Sequence, residues 1–230
     1  MFRRFIFTIL VALAIVSCAT NNSLALEGEA RERAIDAIEL LSSDMLSSVD
    51  IDIPIERLYS ALPVEYTVYE DYVPLYNLYR DHYLSEVRDI VIRACPGLYD
   101  DLYGYMCELA KSPELYIKED TSLTEAIATA YRDVLIWDLY DCLLSMDEDF
   151  AFALHESKLE YDSIRNAYAN LSIVGSGSDI PVVKGVNIHQ VATVSIDILL
   201  SHLAEAESEL KNRIVDRNSD TLYSIFWEGR

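Results

Sequence analysis

Between Asn187 and Phe226 no glycine or proline interrupts the chain, and Ile196, Leu199, Leu203, Ala206, Leu210 and Ile214 recur at spacings of three or four. A repeat of that period lines up on one side of an α-helix, so this stretch can bury its apolar edge only against other helices. Glu205, Glu207 and Glu209 precede Lys211, Arg213 and Arg217, the order favoured by i,i+4 ion pairs and by the helix dipole. The rest of the chain is as poor in breakers, with 7 glycines and 6 prolines among 230 residues. No sustained Val/Ile/Thr alternation competes with the helical period. The expectation is an all-α chain, a bundle of about seven to nine helices forming a single domain over residues 27–230.

The breaks can be read in order. A first helix is predicted from Glu27 to Ser48, with Ala30, Ala34, Ala37, Ile38, Leu41, Met45 and Leu46 at helical spacing. Pro54 opens a short helix through Leu62. Another helix starts near Val73 and is expected to stop at Cys95-Pro96-Gly97, with a separate one following from Leu98 to Ala110. Ser112-Pro113-Glu114 reads as a cap and a first helical proline. Ser122-Leu123-Thr124-Glu125 is a capping box for a helix to about Met146, and Asp147-Glu148-Asp149 opens the next, to about Leu171. The linker-like loop 172–187 holds Gly175, Gly177, Pro181 and Gly185. Its Gly-x-Gly lacks the strand–loop–helix context of a phosphate loop, and Ser176 and Ser178 beside it have no histidine placed to activate them. Asn187-Ile188-His189-Gln190 is a second capping box, and Ser219 caps a last short helix with Leu222, Ile225 and Phe226.

The N-terminus speaks to location. Arg3 and Arg4 precede an apolar run from Phe5 to Val16, and Ser17-Cys18 closes it. A short basic end followed by an apolar stretch of this length is a secretory signal, too short for a comfortable bilayer span. The ending resembles the lipobox of bacterial lipoproteins. That resemblance implies removal of residues 1–17, diacylglycerol on the Cys18 sulfur, and residues 18–26 as a tether. Ala19 after the cysteine resembles lipoproteins sent to the outer membrane. The expected place is the bacterial cell envelope, facing the periplasm or the cell surface.

Charge and cysteines narrow the company the chain can keep. Net charge is −21, from 39 acidic and 18 basic residues, and loss of the leader with its two arginines deepens it. Such a surface repels phosphate backbones and anionic lipid, so no nucleic-acid partner is expected and membrane contact rests on the lipid. With Cys18 acylated, Cys95, Cys107 and Cys142 remain, an odd number with no CxxC spacing, and they read as buried thiols rather than a disulfide framework.

A family resemblance rests on the C-terminal stretch. Ile196-Asp197-x-Leu199, Ala204-Glu205-x-Glu207 and Arg217-x-x-Asp220-x-Leu222-x-x-Ile225-Phe226 resemble the closing signature of the bacterial family called domain of unknown function 4197. Fainter echoes lie at Ile53-Pro54-Ile55, Ala94-x-Pro96, the helix after Thr121, and Tyr168 with Asn170. The signature's glycine is Ile198 here, its proline is Ile214, and its threonine pair is Asn218-Ser219. The tyrosine-rich middle has no counterpart. The resemblance implies a helical, exported, often lipid-anchored protein, and it brings no functional residues with it.

Eleven of the 16 tyrosines fall between Tyr59 and Tyr116, and Tyr69, Tyr72, Tyr76, Tyr79 and Tyr83 form one helical stripe. Rings with apolar bodies and polar tips suit a half-buried seam between helices, or the lining of a groove for a glycan, peptide or partner helix. His202-x-x-Glu205 has metal-like spacing but too few ligands for a closed site. Asp138-x-x-Asp141 beside Trp137 and Tyr140 could divide acid and base roles, although such pairs arise by chance in so acidic a chain. No metal and no cofactor is expected. Two readings from different classes follow. The favoured one is a non-catalytic envelope protein that binds a protein or glycan partner or serves as structure. The other is an envelope hydrolase working through a carboxylate and a histidine.

Overall fold

The computed structural model describes residues 28–49, 51–62, 73–113, 122–170 and 185–217. These residues are all-helical, with no strand among them. In chain order they form α1 (Glu29–Ser48), a 3-10 helix (Ile55–Ala61), α2 (Val73–Ala110), α3 (Leu123–Leu144), α4 (Asp147–Asn170) and α5 (Ile188–Arg217). The expected leader with Cys18, the expected loop around Gly175 and Gly177, and the short helix expected after Ser219 lie outside the described residues.

Packing divides the chain into two compact units. One gathers α1, α2 from Tyr99 onward, α3 up to Arg132 and α5 from Leu200 onward. Its core holds Ala34, Ile38, Leu41 and Met45 of α1, Leu102, Met106 and Leu109 of α2, Ile127 of α3 and Leu203 of α5. The i,i+3/i+4 spacing of the first four is the stripe expected from the sequence. Gly28 starts α1 at φ 58° and ψ −130°, backbone that L side chains rarely adopt, and its carbonyl accepts from the Arg31 and Glu32 N–H groups. Arg31 Nη2 then donates to the Lys111 carbonyl at 2.6 Å, covering one of the open carbonyls past the end of α2.

The other unit gathers the 3-10 helix, α2 up to Leu98, α3 from Asp133, α4, and α5 up to Leu199. Leu58, Leu84, Val87, Val91, Leu135, Leu139, Phe150, Tyr161, Ile196 and Leu199 are buried in it. The C-terminal half of the 3-10 helix is tied by polar contacts. Tyr59 donates to Asp81 Oδ1 at 3.0 Å and accepts from Arg80 Nη2 at 2.9 Å, while the Arg80 guanidinium lies 3.8 Å from the Tyr59 ring centroid. The Asn187 N–H donates to the Ala61 carbonyl at 2.8 Å, joining that helix to the start of α5.

The expected break at Cys95-Pro96-Gly97 does not occur, for α2 runs through it with Pro96 inside. Proline there removes an N–H and leaves the Ile92 carbonyl without its helical donor. Pro96, Gly97 and Ile92 are all exposed, so water can reach that carbonyl. On the opposite side Val91, Ala94, Cys95 and Leu98 are buried, and their packing holds the helix on course through the weak turn. Pro96→Ala should therefore raise stability by roughly 1–3 kcal/mol, by restoring the missing bond and removing the ring clash. Thermal melts of the two proteins check this. A lower midpoint for the variant would mean the helix needs its proline there.

Candidate functional site

The tyrosine stripe divides according to what is described. Tyr79 and Tyr83 are buried, the latter 1% exposed. Their rings stack at 6.4 Å, and Tyr161 of α4 meets Tyr79 edge-on at 4.9 Å. The Tyr83 hydroxyl accepts from the Val186 N–H at 3.2 Å. This end of the stripe is core seam, with a hydroxyl fixing the segment that leads into α5. Tyr69, Tyr72 and the Tyr76 side chain lie outside the described residues.

An aromatic cluster sits elsewhere in the same unit. Along α3, Leu135, Ile136, Leu139 and Leu143 turn inward, which leaves Trp137, Asp141 and Leu144 on the outer face with Tyr140 half-buried beside them. Trp137 is 54% exposed, unusual for so large an apolar ring. Tyr140 meets it edge-on at 5.4 Å. His189, in the first turn of α5, meets Trp137 at 5.2 Å and Tyr140 at 5.5 Å. The Asn187 side chain positions that turn by accepting from the Gln190 N–H at 3.2 Å. Three rings thus share one outward surface beside the carboxylate of Asp141. The capping box at Asn187 was the signal for where His189 stands. Nothing in the sequence gave the meeting with Trp137, because the two are brought together only by the packing of α3 on α5.

The other unit has a shallow depression lined by Ser48 and Val49 of α1 and by His202, Glu205, Ala206, Glu209 and Leu210 of α5. It gathers the His202–Glu205 pair noted in the sequence. Among the described residues no three His, Cys, Asp or Glu side chains converge as a metal site. Of the other histidines, His82 faces Glu160 at 3.6 Å on the surface, and His155 is exposed.

The most polar interior contact was not foreseen. Glu207 is 2% exposed, and its carboxylate accepts from the N–H groups of Leu123 and Thr124 at 2.8 and 2.9 Å, and from the Thr124 and Ser122 hydroxyls, both at 2.8 Å. It therefore caps the N-terminus of α3 from another helix. Lys211 Nζ completes the set at 2.6 Å. Burial alone would raise this carboxyl, but the Lys211 ammonium and the two backbone donors outweigh it and hold Glu207 below the usual carboxylate range. Ser122 still makes its own half of the capping box, accepting from the Glu125 N–H at 3.1 Å. A carboxylate so fully bonded is a structural clamp, with no lone pair turned to a substrate.

No protein-family model, curated protein or solved structure matches this chain. Among the described residues, no helix is long and apolar enough to cross a membrane.

Proposed function

We propose that this chain is an exported bacterial lipoprotein, anchored in the cell envelope through Cys18, whose helical part binds an envelope protein or glycan and catalyses no reaction. The observation that carries it is the N-terminal order of Arg3-Arg4, the apolar run to Val16, then Ser17-Cys18. On this reading the acidic helical part, without a spanning helix of its own among the described residues, meets the membrane through lipid. The resemblance of Ile196–Phe226 to the domain of unknown function 4197 family belongs to the same proposal. So does a fold of about seven to nine helices, counting the segments expected around residue 116 and after Ser219.

The cluster of exposed Trp137 and His189 with half-buried Tyr140 supports a binding role. Aromatic rings held on packed helices offer a large contact area at small entropic cost, and Asp141 beside them can accept from hydroxyl or amide groups. The depression holding His202, Glu205 and Glu209 supports the alternative, an envelope hydrolase using carboxylate and histidine as acid and base. Hydrolysis of an envelope glycan that is lost in both His202→Ala and Glu205→Gln, with folding intact, would favour that alternative.

The anchor is testable directly. Intact mass in the native host should show loss of residues 1–17 and a gain of acyl chains, and Cys18→Ala should abolish both the lipid and retention in the membrane fraction. A main species with an unmodified Cys18 overturns the proposal.

A further inference from the structure

Cys142 is exposed on α3, whereas Cys95 is buried on α2. Both belong to the same compact unit. The Cys142 sulfur lies 3.9 Å from the carbonyl oxygen of Ala94, the peptide group that leads directly into Cys95. Ala94 carries only a methyl group and is itself buried, so the two helices come close at this level. The third thiol, Cys107, lies on the part of α2 that belongs to the other unit. It is three turns of helix beyond Cys95, out of disulfide reach along one rod.

We infer that Cys95 and Cys142 are a redox pair that closes into a disulfide between α2 and α3 when the protein meets an oxidising disulfide. The exposed Cys142 is the entry point. Its thiolate attacks one sulfur of an external disulfide such as oxidised glutathione, breaking that bond and releasing one glutathione thiolate, which takes up a proton. Cys95 then gives its proton to solvent and attacks the Cys142 sulfur. The second glutathione leaves as thiolate, and the protein S–S bond is complete. Two protein thiols are oxidised and one external disulfide is reduced to two thiols, so atoms and electrons balance.

Burial, with a smaller contribution from the neighbouring Cys142, pushes the Cys95 thiol up to about 12. Two consequences follow. Ring closure is the slow step and quickens with pH, because the thiolate is the nucleophile. Once closed, the bridge resists reductants, since a thiol of high pKa is a poor leaving group. The odd number of cysteines after Cys18 is thereby resolved into one pair and one single thiol, Cys107. The inference does not depend on export, because the experiment supplies the oxidant.

The full mature chain, purified reduced, is incubated with oxidised glutathione at mildly alkaline pH and quenched by acid. It is then cleaved at acidic residues without reduction. Cleavage at Asp100 or Asp101 separates Cys95 from Cys107, so mass spectrometry can tell which one is linked. The expected product is a linked pair of peptides carrying Cys95 and Cys142, lost on reduction, with Cys107 outside the link. Cys107→Ser should form the same bridge, and Cys142→Ser should form none. Glutathione persisting on Cys142 with no link to Cys95, or a bridge that includes Cys107, would overturn the inference.

Discussion

Glu207→Ala should cost about 3–5 kcal/mol of stability, because it removes one partner from a buried, fully bonded charge. The loss has several parts. The N–H groups of Leu123 and Thr124 and the Thr124 hydroxyl lose their acceptor inside the protein, and Lys211 is left beside them without its counter-charge. Glu207→Gln keeps the shape and part of the bonding, so it should lose less. The pH dependence has a definite sign. The folded carboxyl titrates below its unfolded value of roughly 4.3 because Lys211 and the helix donors favour the charged form. Its contribution is present in full above the unfolded value and is lost as pH falls through the lower folded one. Thermal melts from neutral pH down to about pH 3 should fall more steeply for the native chain than for Glu207→Gln. An alanine variant that melts with the native protein would refute the capping role.

Leu203→Ala is the second large effect. Leu203 is 0% exposed on α5, one turn before Glu207. Removing its isobutyl group should cost about 2–5 kcal/mol, the upper end applying if the surrounding helices cannot close on the cavity. Against a typical total of roughly 5–15 kcal/mol this is a large share. Chemical denaturation measures it, and Trp137→Ala is the matched control. That larger truncation falls at a ring already 54% exposed and should cost far less. Equal losses for the two would mean α5 is not core. Leu203 and Glu207 share one face of one helix, so the double variant should depart from additivity.

How much of this was readable in the sequence depends on the distance over which each feature acts. Local signals succeeded. The boxes at Ser122 and Asn187 stand at helix starts, Asp147 opens α4, and Ala34, Ile38, Leu41 and Met45 face inward as their spacing required. Pro96 failed as a stop signal because a local penalty of about 3 kcal/mol is smaller than the packing of the buried side of α2. Glu207 failed differently. The Glu207–Lys211 spacing gave the ion pair correctly, but the donors that make burial tolerable come from another helix. The same holds for Trp137 with His189 and for Cys142 with the Ala94 carbonyl. Spacing along one helix says which residues share a face, and it says nothing of which face of which other helix they meet.

The cap on α3 also orders events in time. The carboxylate that completes this helix start comes from 83 residues further along the chain than the Thr124 donor it serves. The Arg31 guanidinium that covers the Lys111 carbonyl bridges 80 residues in the same unit. A chain made from its N-terminus at ~5–20 residues per second therefore leaves the first turn of α3 frayed for roughly 4–17 s, until Glu207 has been made. Each of these helix ends is satisfied only when its own long loop has closed, so the unit cannot finish helix by helix as a low-contact-order bundle would. Its last step is a long-range docking, and a nascent chain halted before residue 207 is a substrate for holding factors and proteases.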